Sequence, residues 1–199
     1  VGGSGYEYVD SINIDDDGCI VISGCTWSPD FPTTNGTYDG SHNGHYDSFI
    51  TKLNANGTDL VYSTYFGGVD REDTMISRLA DDGNIVFLLS SDSDDLETTP
   101  NSFSSTNIGR RDFFVGMLDN EASRLLYGSY LGGTGDEYLA WEISLVGENV
   151  TIMGATWSTD FPTTENAFCT THGGDADLVV TRLHVGPSGG NVSSEPRNL

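Results

Sequence analysis

Asp30-Phe31-Pro32-Thr33-Thr34 recurs letter for letter at Asp160–Thr164, 130 residues later, and Asp95-Leu96-Glu97-Thr98-Thr99 stands midway. The period is 65 residues, in three copies. It holds without adjustment at Gly2-Gly3, Gly67-Gly68 and Gly132-Gly133, and at Glu7, Glu72 and Glu137. It holds again at Tyr38, Phe103 and Phe168, at Asp47, Asp112 and Asp177, and at Leu53, Leu118 and Leu183. Such a repeat decides the architecture before local propensities are weighed.

Outward from the DFPTT loop, each copy reads as short apolar runs between turns. A first strand, such as Ser11–Ile14, leads into a tight turn: DDDG at Asp15–Gly18, ADDG at Ala80–Gly83, VGEN at Val146–Asn149. Such turns between apolar runs signal hairpins. The third copy slips by one residue here. The second strand is the most apolar: CIVISGCT from Cys19, NIVFLLSS from Asn84, NVTIMGAT from Asn149. Beyond the DFPTT loop come DSFITKL from Asp47, DFFVGML from Asp112 and DLVVTRL from Asp177, then LVYSTYFGG from Leu60 and LLYGSYLGG from Leu125. No stretch keeps a 3.6-residue apolar period long enough for a helix. The expectation is an all-β chain of three four-stranded antiparallel units of the β-propeller type. Repeats span 1–66, 67–131 and 132–185; the third lacks a clear fourth strand, and 186–199 is a tail or linker. Propellers close with about 4–8 blades, so three predict an open array or one completed by another chain.

The motifs TWSPDFPTT (Thr26–Thr34), TWSTDFPTT (Thr156–Thr164), YSTYFGG (Tyr62–Gly68), DDGN (Asp81–Asn84) and DSFITKL (Asp47–Leu53) resemble the SBBP-type β-propeller repeat of bacterial and archaeal proteins. The resemblance spans about Val1 to Leu183. It implies a secreted or cell-surface propeller protein and carries no catalytic motif. The second copy departs from it: Leu96-Glu97 replaces Phe-Pro, and Asp92 stands where Trp27 and Trp157 stand.

The chain has 30 acidic residues against 8 basic ones, a net charge of −22, and one lysine, Lys52. That charge predicts no nucleic-acid partner, because phosphate binding requires Lys and Arg to displace counterions. No apolar run reaches the roughly 18–20 residues of a membrane span. The start at Val1 reads as a processed product or a segment of a longer protein. An acidic, lysine-poor surface suits high salt or divalent cations, which screen self-repulsion.

The recurring acids Glu7, Glu72, Glu137, Asp30, Asp95, Asp160, Asp47, Asp112 and Asp177, and the turn acids Asp15 and Asp17, are calcium candidates, since calcium takes six to eight oxygens. The competing reading is that they cap turns and strand starts within each unit. No cofactor is required; calcium is the one that the acids suggest. Trp27 and Trp157, beside Asp30 and Asp160, suit sugar stacking, with an aromatic plug as the alternative. Cys19 and Cys25 lie too far apart along one strand to bond each other, so Cys19, Cys25 and Cys169 are candidates for an intermolecular disulfide or buried thiols. Histidines 42, 45 and 172 sit in Gly-rich loops and read as solvated. Asn35 and Asn56 head sequons in predicted loops and are glycosylation candidates, ahead of Asn149 and Asn191.

The functional expectation is an extracellular structural protein: a propeller-repeat subunit or segment of a surface layer, sheath, filament or adhesin, with self-association or the rest of a longer surface protein as partner. A lectin-like carbohydrate-binding module is the alternative and a glycan-active enzyme the third choice; no enzymatic constellation stands out.

Overall fold

The computed structural model describes residues 1–186; the tail from 187 on, with Asn191, lies outside the described residues. The described chain is all-β, with no helix. Sheet I comprises β1 (Glu7–Ile14), β2 (Ile20–Thr26), β3 (Asp47–Leu53) and β4 (Leu60–Phe66). Sheet II comprises β5 (Glu72–Leu79), β6 (Ile85–Ser91), β7 (Asp112–Leu118) and β8 (Leu125–Leu131). Sheet III comprises β9 (Glu137–Val146), β10 (Asn149–Thr156) and β11 (Asp177–His184). Each is an antiparallel meander in sequence order, so each 65-residue copy folds as one sheet.

The first strand is longer than Ser11–Ile14: it starts at Glu7, because Glu7 pairs with Thr26 ahead of a bulge between Val9 and Ser11. The slip in the third copy is real. In sheet II Ile76 faces Leu88, whereas in sheet III Glu142, not Trp141, faces Met153. One extra residue in β9 is offset by a shorter hairpin turn.

Apolar residues on both faces of a strand require partners on both sides. Every residue of β6 and β7 is buried, since sheet II lies between the other two. On one face Ile85, Phe87, Leu89 and Phe114 pack on Val21, Ile50, Tyr62 and Phe66 of sheet I. On the other, Val86, Leu88, Phe113 and Val115 pack on Val150, Ile152 and Leu183 of sheet III. Among the described residues no further sheet lies across the same positions of the flanking sheets, although on sheet I Phe31 and Tyr65 cover Phe49. Ile12 and Ile14 are 66% and 60% exposed on the outer side of sheet I. Leu178 and Val180, the counterparts of Phe113 and Val115, are 60% and 63% exposed on the outer side of sheet III.

Candidate functional site

The recurring acids meet at the seams between copies. Glu72 opens β5 and Asp47 opens β3 of the preceding sheet; both are buried. A Cβ on Gly67 would lie 2.7 Å from the Asp47 carboxyl carbon and 2.7 Å from Glu72 Oε2, so the two carboxyls crowd one glycine. Asp112 and Glu137 form the same pair around Gly132, and their carboxyls are in hydrogen-bond contact. Asp47 accepts the Asn43 and Gly44 N–H groups at 2.8 and 3.1 Å. Glu72 accepts the Gly68 N–H at 3.0 Å and the Ser91 hydroxyl at 2.8 Å. Burial pushes Glu72 up to about 7, against its Ser93, Ser91 and Gly68 hydrogen bonds and with the Asp47 charge adding to it. Burial, reinforced by Glu137, pushes Asp112 up to about 7. Two buried carboxyls this close share a proton instead of both ionising.

At the free ends, among the described residues, Glu7 and Asp177 each stand without a counterpart. Glu7 accepts Gly3 N–H and the Thr26 and Ser28 hydroxyls within sheet I. Asp177 accepts the Gly173 N–H at 2.7 Å. The second glycine of each Gly-Gly lets the chain approach Ser28, Ser93 or Ser158 and Asp30, Asp95 or Asp160. Asp30 Oδ1 accepts the Ser4 N–H and hydroxyl at 2.7 and 2.8 Å, and Asp160 Oδ1 accepts those of Thr134 at 2.8 and 3.0 Å. These bonds hold both carboxyls below the ordinary aspartate value. Asp15 binds the Asp17 and Cys19 N–H groups at 3.0 and 2.8 Å and Lys52 Nζ at 2.6 Å, closing its own hairpin turn. Among the described residues, no three His, Cys, Asp or Glu side chains converge as a metal site.

Trp27 meets Tyr6, Tyr8 and Tyr46 edge to face, with centroids 5.2, 5.7 and 4.7 Å away. All three rings belong to the same copy, and Trp27 is partly buried among them. At the equivalent positions of sheet II, Trp27 and Tyr46 become Asp92 and Arg111, joined by two hydrogen bonds of 2.5 and 2.9 Å. Arg111 also lies 3.3 Å from Asp73 and stacks 4.6 Å from the Tyr138 ring of the next copy. Arg71 stacks in the same way on Tyr46, at 4.7 Å. Each seam is thus capped by one cation–ring pair, and the two arginines share Asp73. In sheet III the tyrosine position is Ala176, and Trp157 is 40% exposed.

All three cysteines are free thiols. Cys25 is half-buried beside Asp10 and Thr74, and burial pushes its thiol up to about 11, so a bridge to it would require parting sheets I and II. Cys169 is exposed. Asn35 and Asn56 are exposed in turns. His42 packs edge-on against Tyr65.

The sequence shows which acids recur, but not that position 47 of one copy meets position 72 of the next. A signal exists: in every copy the Gly-Gly precedes the Glu by four residues, and antiparallel pairing of strands three and four brings the start of strand three, with its Asp, to that same Gly-Gly. A hydroxyl cluster at the first seam also escaped the reading. Ser11 and Ser23 are 2.7 Å apart, Ser77 bonds both, and Ser23 donates to the Met75 carbonyl. At the second seam those positions hold Ile76 and Leu88, and Arg78 pairs with Glu142. The two seams are therefore not interchangeable. No known family matches the chain, and no curated protein is similar to it.

Proposed function

We propose that the chain is a structural module of propeller-type blades, an SBBP-like array outside the cell, which assembles by stacking its two free sheet faces on neighbours. The observation that carries this reading is the burial contrast. The middle sheet is covered on both faces, while the same positions at Ile12, Ile14, Leu178 and Val180 lie open on the outer sheets. The outer side of sheet I presents the positions that sheet II turns toward sheet I, with Ile12 in place of Ser77. The outer side of sheet III repeats the surface that sheet II turns toward sheet III. A head-to-tail contact between copies would therefore bring together the same positions that meet at both internal seams. Heterologous contacts of this kind give rings when they close and filaments when they do not.

The test is particle mass by sedimentation velocity across a range of concentrations. The expected outcome is a ring or polymer that Ile12→Glu and Val180→Glu each dissolve without lowering the unfolding midpoint. A monomer at every concentration overturns the reading. The sugar-binding alternative retains one platform, the half-open Trp157; Trp27 is enclosed by three rings.

A further inference from the structure

In sheets I and II the DFPTT-type loop is fastened to the fourth strand by a tyrosine. Tyr65 Oη accepts the Phe31 N–H at 3.0 Å and donates to the Ser28 carbonyl at 2.7 Å. Tyr130 Oη accepts the Leu96 N–H at 3.0 Å and donates to the Ser93 carbonyl at 2.9 Å. A threonine adds a second fastening. Thr34 N–H donates to the Ser63 carbonyl and Thr34 Oγ1 accepts the Ser63 N–H, at 2.9 and 3.0 Å. Thr99 and Gly128 repeat that exchange at 3.1 and 3.2 Å. Tyr38 closes the site by stacking on Phe66, 5.3 Å between centroids.

Sheet III keeps the receiving half of this arrangement. Ser158, Phe161, Thr164 and Phe168 occupy the matching positions, and Phe161 is buried as Phe31 and Leu96 are. Among the described residues no strand lies beyond β11, no tyrosine hydroxyl reaches Phe161 N–H, and Phe168 is fully exposed. An unpaired edge beside a preformed loop is a template for strand addition. Residues 186–199 contain no Tyr, Phe or Trp, so they carry neither the hydroxyl nor the ring.

We infer that β11 and the Asp160–Thr164 loop form an acceptor for an extended strand from outside the described residues. Its pattern is that of the fourth strands present, Tyr-Ser-Thr-Tyr-Phe-Gly-Gly at Tyr62–Gly68 and Tyr-Gly-Ser-Tyr-Leu-Gly-Gly at Tyr127–Gly133. The backbone of that strand pairs with β11. Its second tyrosine donates to the Ser158 carbonyl and accepts from Phe161 N–H, and the following apolar side chain covers Phe168. The inference deepens the assembly reading, but stands on a sheet edge instead of the sheet faces.

The probe is a fluorescently labelled peptide, Leu-Val-Tyr-Ser-Thr-Tyr-Phe-Gly-Gly, titrated with the full chain and followed by anisotropy. Saturable binding is expected. Replacing the second tyrosine of the peptide by phenylalanine weakens it about tenfold, because a buried donor and acceptor then lose their partner. Thr164→Val, on a partly exposed side chain, weakens binding in the same direction with the far-ultraviolet spectrum unchanged. No saturable binding, or equal binding by the phenylalanine peptide and a scrambled one, overturns the inference. Particle mass on the same samples separates the two readings. A polymer that takes up no peptide ends this inference alone, and a monomer that binds the peptide ends the face-stacking reading alone.

Discussion

At the residue scale, one pair of positions shows how the copies diverged while keeping a seam. Trp27 and Tyr46 in sheet I become Asp92 and Arg111 in sheet II. The first pair is held by apolar area, the second by charge-assisted hydrogen bonds, so each partner needs the other. Asp92→Ala leaves Arg111 half-paired at a buried seam and should cost about 2 kcal/mol in urea unfolding. The joint change Asp92→Trp with Arg111→Tyr should recover most of that, because it rebuilds the sheet I pair; a loss no smaller than that of Asp92→Ala would show that the positions are not coupled. Trp27→Ala should cost about 3 kcal/mol, since it removes a ring packed on three others, and Trp157→Ala under about 1 kcal/mol, since Ala176 gives it no ring to meet. The recurrence of both tryptophans is plain in the sequence. Their unequal surroundings are not, because position 46 varies as Tyr, Arg and Ala and shows no pattern until position 27 is seen beside it.

At the scale of strands and turns, the Gly-Gly that opens each copy is a spacing device for the acid pair. Gly67→Ala would place a methyl 2.7 Å from both Asp47 and Glu72, and should destabilise by about 1–3 kcal/mol. The acid pairs also fix a pH dependence. Glu72 and Asp112 titrate near 7 in the folded chain, above their ordinary 4.5 and 3.8. The folded state therefore holds protons that the unfolded state has released. Their contribution is fully present below about pH 4, falls as pH rises toward 7, and is flat above. Glu7, Asp15, Asp30 and Asp160, held low by hydrogen bonds, act oppositely: what they contribute is lost below about pH 4. The thermal midpoint should thus peak near pH 4–5 and decline toward pH 8, and Glu72→Gln should flatten the decline; a midpoint that rises from pH 5 to 8 would refute the shared-proton account. The strand order and the three sheets were legible from spacing alone, because a period-65 match needs no long-range information. The carboxyl pairs and the serine cluster were not, because they form between residues 25 and 52–66 positions apart, across a packing angle that no local pattern encodes.

For the whole molecule, the two free faces carry the two halves of one more acid pair. Glu7 stands where Glu72 and Glu137 stand, and Asp177 where Asp47 and Asp112 stand. A head-to-tail contact between copies would bring the Asp177 of one beside the Glu7 of the next, in the setting that raises Glu72 and Asp112. Burying that pair demands one proton from solvent per contact, so association should strengthen as pH falls from about 8 to about 5. The same contact joins two bodies of net charge −22, whose repulsion salt screens. Added salt and acid should therefore act in the same direction, but by separable routes. Sedimentation velocity at about pH 5 and 8, in low and molar salt, reads both. In Glu7→Gln the pH dependence should shrink while the salt dependence stays. In Ile12→Glu both should vanish with the particle. Association equally strong at both pH values, with Glu7→Gln indistinguishable from the parent chain, would mean that the free faces meet out of register with the internal seams, or not at all.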